Sequence, residues 1–299
     1  MRHTLLGTSP VLLLALLSVG CRLPGREGPV PQSLADCRRL SQRGVAALER
    51  GRQQTAETML AQAVTACPVD AEARRHYAES LWQRGARPEA IAQMEEAVRL
   101  AEEDASLWGR LAEMYLADGR SELARESAER AIDLDPKLPG AWAIRGGTML
   151  SLGHPRQALT DYLRALGHAP NDRAILLAVA ELYRQLDRPR RALQTLQGLA
   201  ETYSPGEEPG QVLYLTGLAY VAVGRYDDGA ASLAAAVMRG QPTPEMYCRL
   251  GEAQLLAGRP VEAAAAARQS LAMQPNFQPG SELLQRIEVA RRSRGTSKQ

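Results

Sequence analysis

The chain has 299 residues, of which 45% are hydrophobic but only 4% aromatic, and 36 basic residues stand against 34 acidic ones. Alanine and leucine carry most of the apolar mass, which favours close-packed helices over strands. A near-neutral balance leaves no electrostatic footprint for DNA or RNA, so no nucleic-acid partner is expected.

Residues 1–20 read as an export signal and not as part of a fold. Arg2 supplies a short positive start, and Val11 to Val19 form an apolar run too short to span a bilayer comfortably. The run closes on Leu17-Ser18-Val19-Gly20-Cys21, which resembles a bacterial lipobox. That resemblance implies lipidation of Cys21 and an exported, membrane-anchored lipoprotein facing the periplasm or the cell exterior. A plain secretory signal and an uncleaved anchor are the alternatives. Residues 21–36 follow as a tether. Arg22 to Ser33 holds three prolines and two glycines, a poor helix and a good spacer that reaches roughly 35–40 Å when extended.

From Cys37 the chain repeats itself. Units start at Cys37, Ala71, Ala105, Pro139, Arg173, Gly210 and Pro244, spaced by 34 residues except for one step of 37, where Ser204 to Pro209 is an insertion. The fourth position of each unit is large in most cases: Leu40, Arg74, Trp108, Trp142, Leu176, Leu213 and Tyr247. The eighth position is small throughout, from Gly44 to Gly251, and the twentieth likewise, from Ala56 to Ala263. Small residues at both places let two helices of a hairpin cross closely; a larger side chain would strain them. Six of the seven units carry Gly at the turn between helices, and Asp187 stands there in the fifth. Pro88, Pro155, Pro189 and Pro260 mark first turns, while Asp70, Asp104, Asp172 and Thr243 stand where helix caps belong.

This pattern, recurring in frame over residues 37–276, resembles the tetratricopeptide repeat. It implies an all-α fold: a right-handed α-solenoid of about seven hairpins. A C-terminal helix over 277–292 would cap it with Leu283, Leu284, Ile287 and the stem of Arg291, and 293–299 would be a disordered basic tail. Arg74 at a large position, Glu102 where a closing Pro is expected, and the insertion are departures from the family pattern.

Residues for chemistry are missing. His3, His76, His154 and His168 lack acidic or Cys neighbours at metal-ligand spacing, and no phosphate loop, zinc-hydrolase helix or nucleophile elbow occurs. No cofactor, metal site or catalytic residue is assigned. Arg75 with Glu79, Arg110 with Glu113 and Arg249 with Glu252 have the spacing of ordinary helix ion pairs. In an antiparallel hairpin the positions of Cys37 and Cys67 meet, so export would make them a candidate disulfide.

The resemblance further implies that first helices line a concave groove for a protein or peptide partner. Carried over by position, the lining residues are Arg38, Ser41 and Val45, then Arg75, Glu79 and Trp82, then Gly109, Glu113 and Leu116. Units four and five supply Ala143, Gly147, Leu150, Leu177, Glu181 and Arg184. Units six and seven supply an exposed Tyr214, Leu218 and Val221, then Cys248, Glu252 and Leu255. The Lys/Asn clamp that some family members use for chaperone C-termini is missing. The expected function is a membrane-tethered scaffold for other envelope proteins, resembling bacterial lipoproteins with such repeats that support pilus, secretion or cell-wall machines. A periplasmic carrier for apolar segments and a self-assembling structural protein are the alternatives.

Overall fold

The computed structural model describes residues 32–296. The expected signal segment, Cys21, the tether up to residue 31 and residues 297–299 lie outside the described residues.

Fifteen α-helices follow one another among the described residues, two to a unit. They are α1 (Gln32–Glu49) and α2 (Gln53–Ala66), α3 (Ala71–Arg84) and α4 (Arg87–Leu100), α5 (Ala105–Ala117) and α6 (Ser121–Leu134), and α7 (Pro139–Ser151) and α8 (Pro155–His168). Then come α9 (Arg173–Gln185) and α10 (Pro189–Ala200), α11 (Gly210–Ala222) and α12 (Tyr226–Arg239), α13 (Pro244–Leu256) and α14 (Pro260–Met273), and finally α15 (Gln278–Thr296). Neighbouring helices pack in chain order, which makes an α-solenoid. First helices of adjacent units also touch one another, as in α1 with α3, α5 with α7, and α9 and α13 with α11, whereas no pair of second helices approaches as closely. The stack therefore curves with its first helices inside.

Local chemistry explains the boundaries. Asp70 accepts from the Ala73 amide, Asp104 from Ser106 and Leu107, Asp172 from Ala174 and Ile175, and Thr243 from Met246. These bonds satisfy amides that the start of a helix leaves without partners. Asp187 holds a left-handed φ of 53°, the conformation its glycine counterparts adopt in other units and one that Asp tolerates. At the hairpin crossings the space is closed: a Cβ on Gly217 would lie 2.6 Å from Leu233 Cγ and 3.1 Å from the Gly229 carbonyl oxygen.

The unusual fourth-position residues share one function. Trp108 Nε1 donates to the Glu102 carbonyl at 2.9 Å and Trp142 Nε1 to the Pro136 carbonyl at 2.8 Å. Arg74 Nε donates to the Pro68 carbonyl at 2.8 Å, so the guanidinium replaces the indole in tying each unit to the end of the previous one. Only the backbone at the closing position is used in this bond, which is why Glu102 serves as well as a proline.

The insertion is pinned at both ends. Arg173 stacks on Tyr203 at 4.0 Å and donates to Thr202 Oγ1 at 3.0 Å, and Glu208 meets Arg239 at 2.6 Å.

Several expectations are corrected. Helix α1 starts at Gln32, inside the stretch expected as tether, because Pro31 is the last helix breaker before it. Helix α15 runs to Thr296, past the expected end at 292. Its buried face is Leu283 and Ile287, each 1% exposed, with Leu284 packed beside them; Arg291 is exposed and takes no part. Arg75 pairs with Glu72 at 2.7 Å and not with Glu79. Cys37 and Cys67 lie in one buried cluster, as their positions suggested, with no disulfide drawn between them in this structure. The Cys37 Sγ is within hydrogen-bond reach of the Ala63 carbonyl at 3.3 Å and of Asp70 Oδ2 at 3.6 Å. As a thiol, Cys37 has its pKa pushed up to about 12 by burial, together with Cys67 and Asp70.

Candidate partner groove

The inside of the curve carries a cleft of about 860 Å³ across α9, α11 and α13. Five residues carried over by position meet there: Leu177, Glu181 and Arg184 from α9, and Tyr214 and Leu218 from α11. Helix geometry puts every third or fourth residue on one face, so Ala174, Ala178, Gln211 and Leu215 come with them. Helix α13 closes the far wall with Glu245 and Arg249. These second and sixth positions of the repeat were missed by counting only the fifth, ninth and twelfth. The 3.6-residue period would have found them.

The cleft has an apolar floor and charged walls. Tyr214 is half-buried, not exposed, and touches two adjacent core clusters. Burial, aided by Glu245, pushes the pKa of its hydroxyl up, so it stays a neutral donor. Arg184 meets Glu181 at 2.6 Å, and this hydrogen bond holds the Glu181 carboxyl below the ordinary carboxylate range. Arg249 bridges Glu245 at 2.6 Å and Glu252 at 3.0 Å. Each guanidinium is thus held beside the floor by a carboxylate on its own helix.

Other expected lining residues lie elsewhere. Val221 turns into the core, where a Cβ on Gly229 would come within 2.7 Å of its Cγ2. Cys248 and Gly109 are buried. Ala143 packs on a core cluster, and Gly147 is covered: a Cβ there would lie 3.2 Å from Leu116 Cδ2 and 3.3 Å from the Tyr162 hydroxyl. Of the unit-four residues, Leu150 is exposed. Units two and three form a separate polar cluster. Arg110 binds Glu79 at 2.6 Å and Glu113 at 2.5 Å, while Trp82 lies beneath the guanidinium groups of Arg87 and Arg110 at 5.6 and 6.0 Å. Among the described residues no acidic, His and Cys group is arranged to hold a metal, and no helix is long and apolar enough to cross a membrane.

A family model for the tetratricopeptide repeat matches residues 42–105, 78–139, 150–207 and 214–276. Among solved structures, the chain is similar to Pseudomonas aeruginosa pilF, with a TM-score of 0.61 at 18% identity over 68% of this chain and 91% of that one. It is also similar to a tetratricopeptide repeat protein of Parabacteroides merdae, with a TM-score of 0.59 at 18% identity over 86% and 99% of the two chains. A third likeness is to YrrB, described as a protein of this repeat type with an unusual peptide-binding site, with a TM-score of 0.58 at 16% identity over 63% and 96%. At these identities the likeness establishes the fold alone. Among curated proteins, the Hsp70-Hsp90 organizing protein of Triticum aestivum is 23% identical over 48% of this chain, and organizing protein 1 of Glycine max is 26% identical over 45%. The match spans about a quarter of the length of these relatives, 25% and 23%.

Proposed function

The chain belongs to the tetratricopeptide-repeat family, and from that premise we propose that it is a membrane-tethered scaffold of the bacterial envelope that holds an extended segment of another envelope protein in the cleft across α9, α11 and α13. One observation carries this reading: Leu177, Tyr214 and Leu218 form an apolar floor between the fixed guanidinium groups of Arg184 and Arg249. Apolar side chains of a bound segment would displace water from that floor. Its backbone carbonyls or carboxylates would take the remaining donors of the two arginines. Repeats of this family are interaction modules.

The test is a crosslinking pull-down from native membranes with wild type and a Tyr214→Glu, Leu218→Glu variant. Two carboxylates on the floor would be desolvated by any apolar ligand, so capture of a small set of envelope proteins is expected to fall by at least about tenfold. An unchanged set of captured proteins would rule out this cleft.

The tether rests on the lipobox resemblance at Leu17 to Cys21. Metabolic labelling with an alkyne fatty acid is expected to mark the wild-type chain and not the Cys21→Ser variant. Equal labelling of both, or of neither, would remove the lipid anchor.

A further inference from the structure

We propose that the outer edge of α1 is a docking surface for the phosphate groups of anionic membrane lipids, with four arginines lining one shallow cleft. The cleft, about 360 Å³, lies against α1 and the start of α2 and contains Arg39, Arg43, Arg50 and Arg52 with Ala46 and Met59 between them. No carboxylate lines it. Arg39, Arg43 and Ala46 follow the four- and three-residue steps of one stripe of α1, and Arg50, in the turn just after the helix, lines the same cleft.

These arginines differ from several others on this protein that carboxylates hold in place. Arg110, Arg125, Arg184, Arg225 and Arg249 each have a carboxylate within 3.0 Å. On the α1 edge the one ion pair among the described residues is Arg39 with Asp36, at 3.7 Å and largely exposed. Glu57, the nearest acidic residue of α2, is taken by Arg84 at 2.8 Å. Four like charges thus share an edge that no earlier unit of the described structure covers. An external anion relieves their repulsion.

The choice of lipid over other anions rests on the anchor proposed at Cys21, eleven residues before Gln32. A spacer of that length reaches about 35 Å at most and holds α1 close to the bilayer. The charge along the stack fits this placement. Residues 87–135 hold six arginines against thirteen acidic residues in a chain whose formal net charge is +2. An anionic surface attracts the α1 edge and repels α4 to α6, so it orients the solenoid as well as holding it.

The test uses the full chain carrying Cys21→Ser, which removes the lipid, in co-sedimentation with vesicles of phosphatidylcholine alone or mixed with phosphatidylglycerol. Residues 1–20, Arg2 included, are the same in every variant, so the readout is how far each substitution changes the difference between the two vesicles. Binding to the anionic vesicles is expected to be about tenfold tighter or more, and to weaken with salt. Arg39→Glu, Arg43→Glu and Arg50→Glu together should abolish the difference, whereas Arg188→Glu, Arg190→Glu and Arg191→Glu should not. If the first variant is unfolded by circular dichroism, the Gln triple variant replaces it. Equal binding to both vesicles overturns the proposal, as does a difference that survives the triple variant. Displacement by inorganic phosphate at constant ionic strength would make this a free-phosphate site. Dimerisation without vesicles that the triple variant abolishes would make a second copy the occupant. Fatty-acid labelling of wild type reads the anchor separately, so loss of the anchor and loss of the lipid surface are distinguishable.

Discussion

A chain carrying Leu283→Ala and Ile287→Ala will lose its last hairpin under conditions where the other units stay folded. Both side chains are 1% exposed and close a cluster with Cys248, Ala263, Ala264 and Ala267, all small residues that cannot fill the space left behind. Truncating a buried Leu or Ile to Ala costs about 2–5 kcal/mol, and the two sites share one cavity, so their sum is not additive. In a solenoid each unit leans only on its neighbours, so the damage should stay local. Gly251 adds to the sensitivity, because Leu283 Cδ2 lies 2.8 Å from where its Cβ would be. Hydrogen exchange is the measurement: amides of α13 and α14 should lose protection while those of α5 to α8 keep theirs. A uniform loss across all units would show instead that the stack folds as one cooperative body.

Replacing Asp161 with Ala will destabilise the middle of the stack by about 3–5 kcal/mol. Its carboxylate is buried, the side chain being 5% exposed, and it receives two hydrogen bonds from Arg145, at 2.6 and 2.9 Å. Removing it leaves a guanidinium in a largely dry site over Trp142, where Arg145 and Arg164 already stand 4.8 and 4.6 Å from the ring. The Arg145→Met, Asp161→Leu double variant should recover most of the loss, since well-packed apolar residues often replace a buried pair without penalty. Urea denaturation of the three chains decides the matter. A double variant as unstable as Asp161→Ala would mean that the pair's geometry, and not the orphaned charge, is what the stack needs.

The periodic features were legible because they depend on one residue in one frame. The starts of α3, α5, α7, α9, α11 and α13 fall on the small-residue register at Ala71, Ala105, Pro139, Arg173, Gly210 and Pro244. The caps and the left-handed Asp187 likewise follow from local chemistry. The groove was half legible. Leu177, Glu181, Arg184, Tyr214 and Leu218 converge as position alone suggested. Val221 and Gly147 do not, because what they face depends on partners set by packing: Gly229 opens a hole that Val221 fills, and Leu116 with Tyr162 covers Gly147. Ion pairs within a helix were legible for Arg110 with Glu113 and Arg249 with Glu252, but pairs between units were not, for the same reason. Glu79 has Arg75 four residues away on its own helix, yet it binds Arg110 from the next unit. Arg74 looked like a defect because a sequence pattern compares side-chain size, whereas the structure uses the donor that the side chain carries.

The asymmetry between the two ends bears on mechanics. Helix α15 seals the last unit, while among the described residues no repeat lies beyond the outer face of α1. With the chain held on the α1 side and a partner seated between α9 and α13, tension would run in series through every seam between units. Such a stack yields at its weakest seam instead of stretching evenly. The junction after α10 departs from the regular spacing, and Arg173 on Tyr203 and Glu208 on Arg239 tie its inserted segment to the units on either side. Rupture at any seam on the α1 side of that joint would leave the cleft intact, so a stack loaded in this way would pay out slack before it lets go.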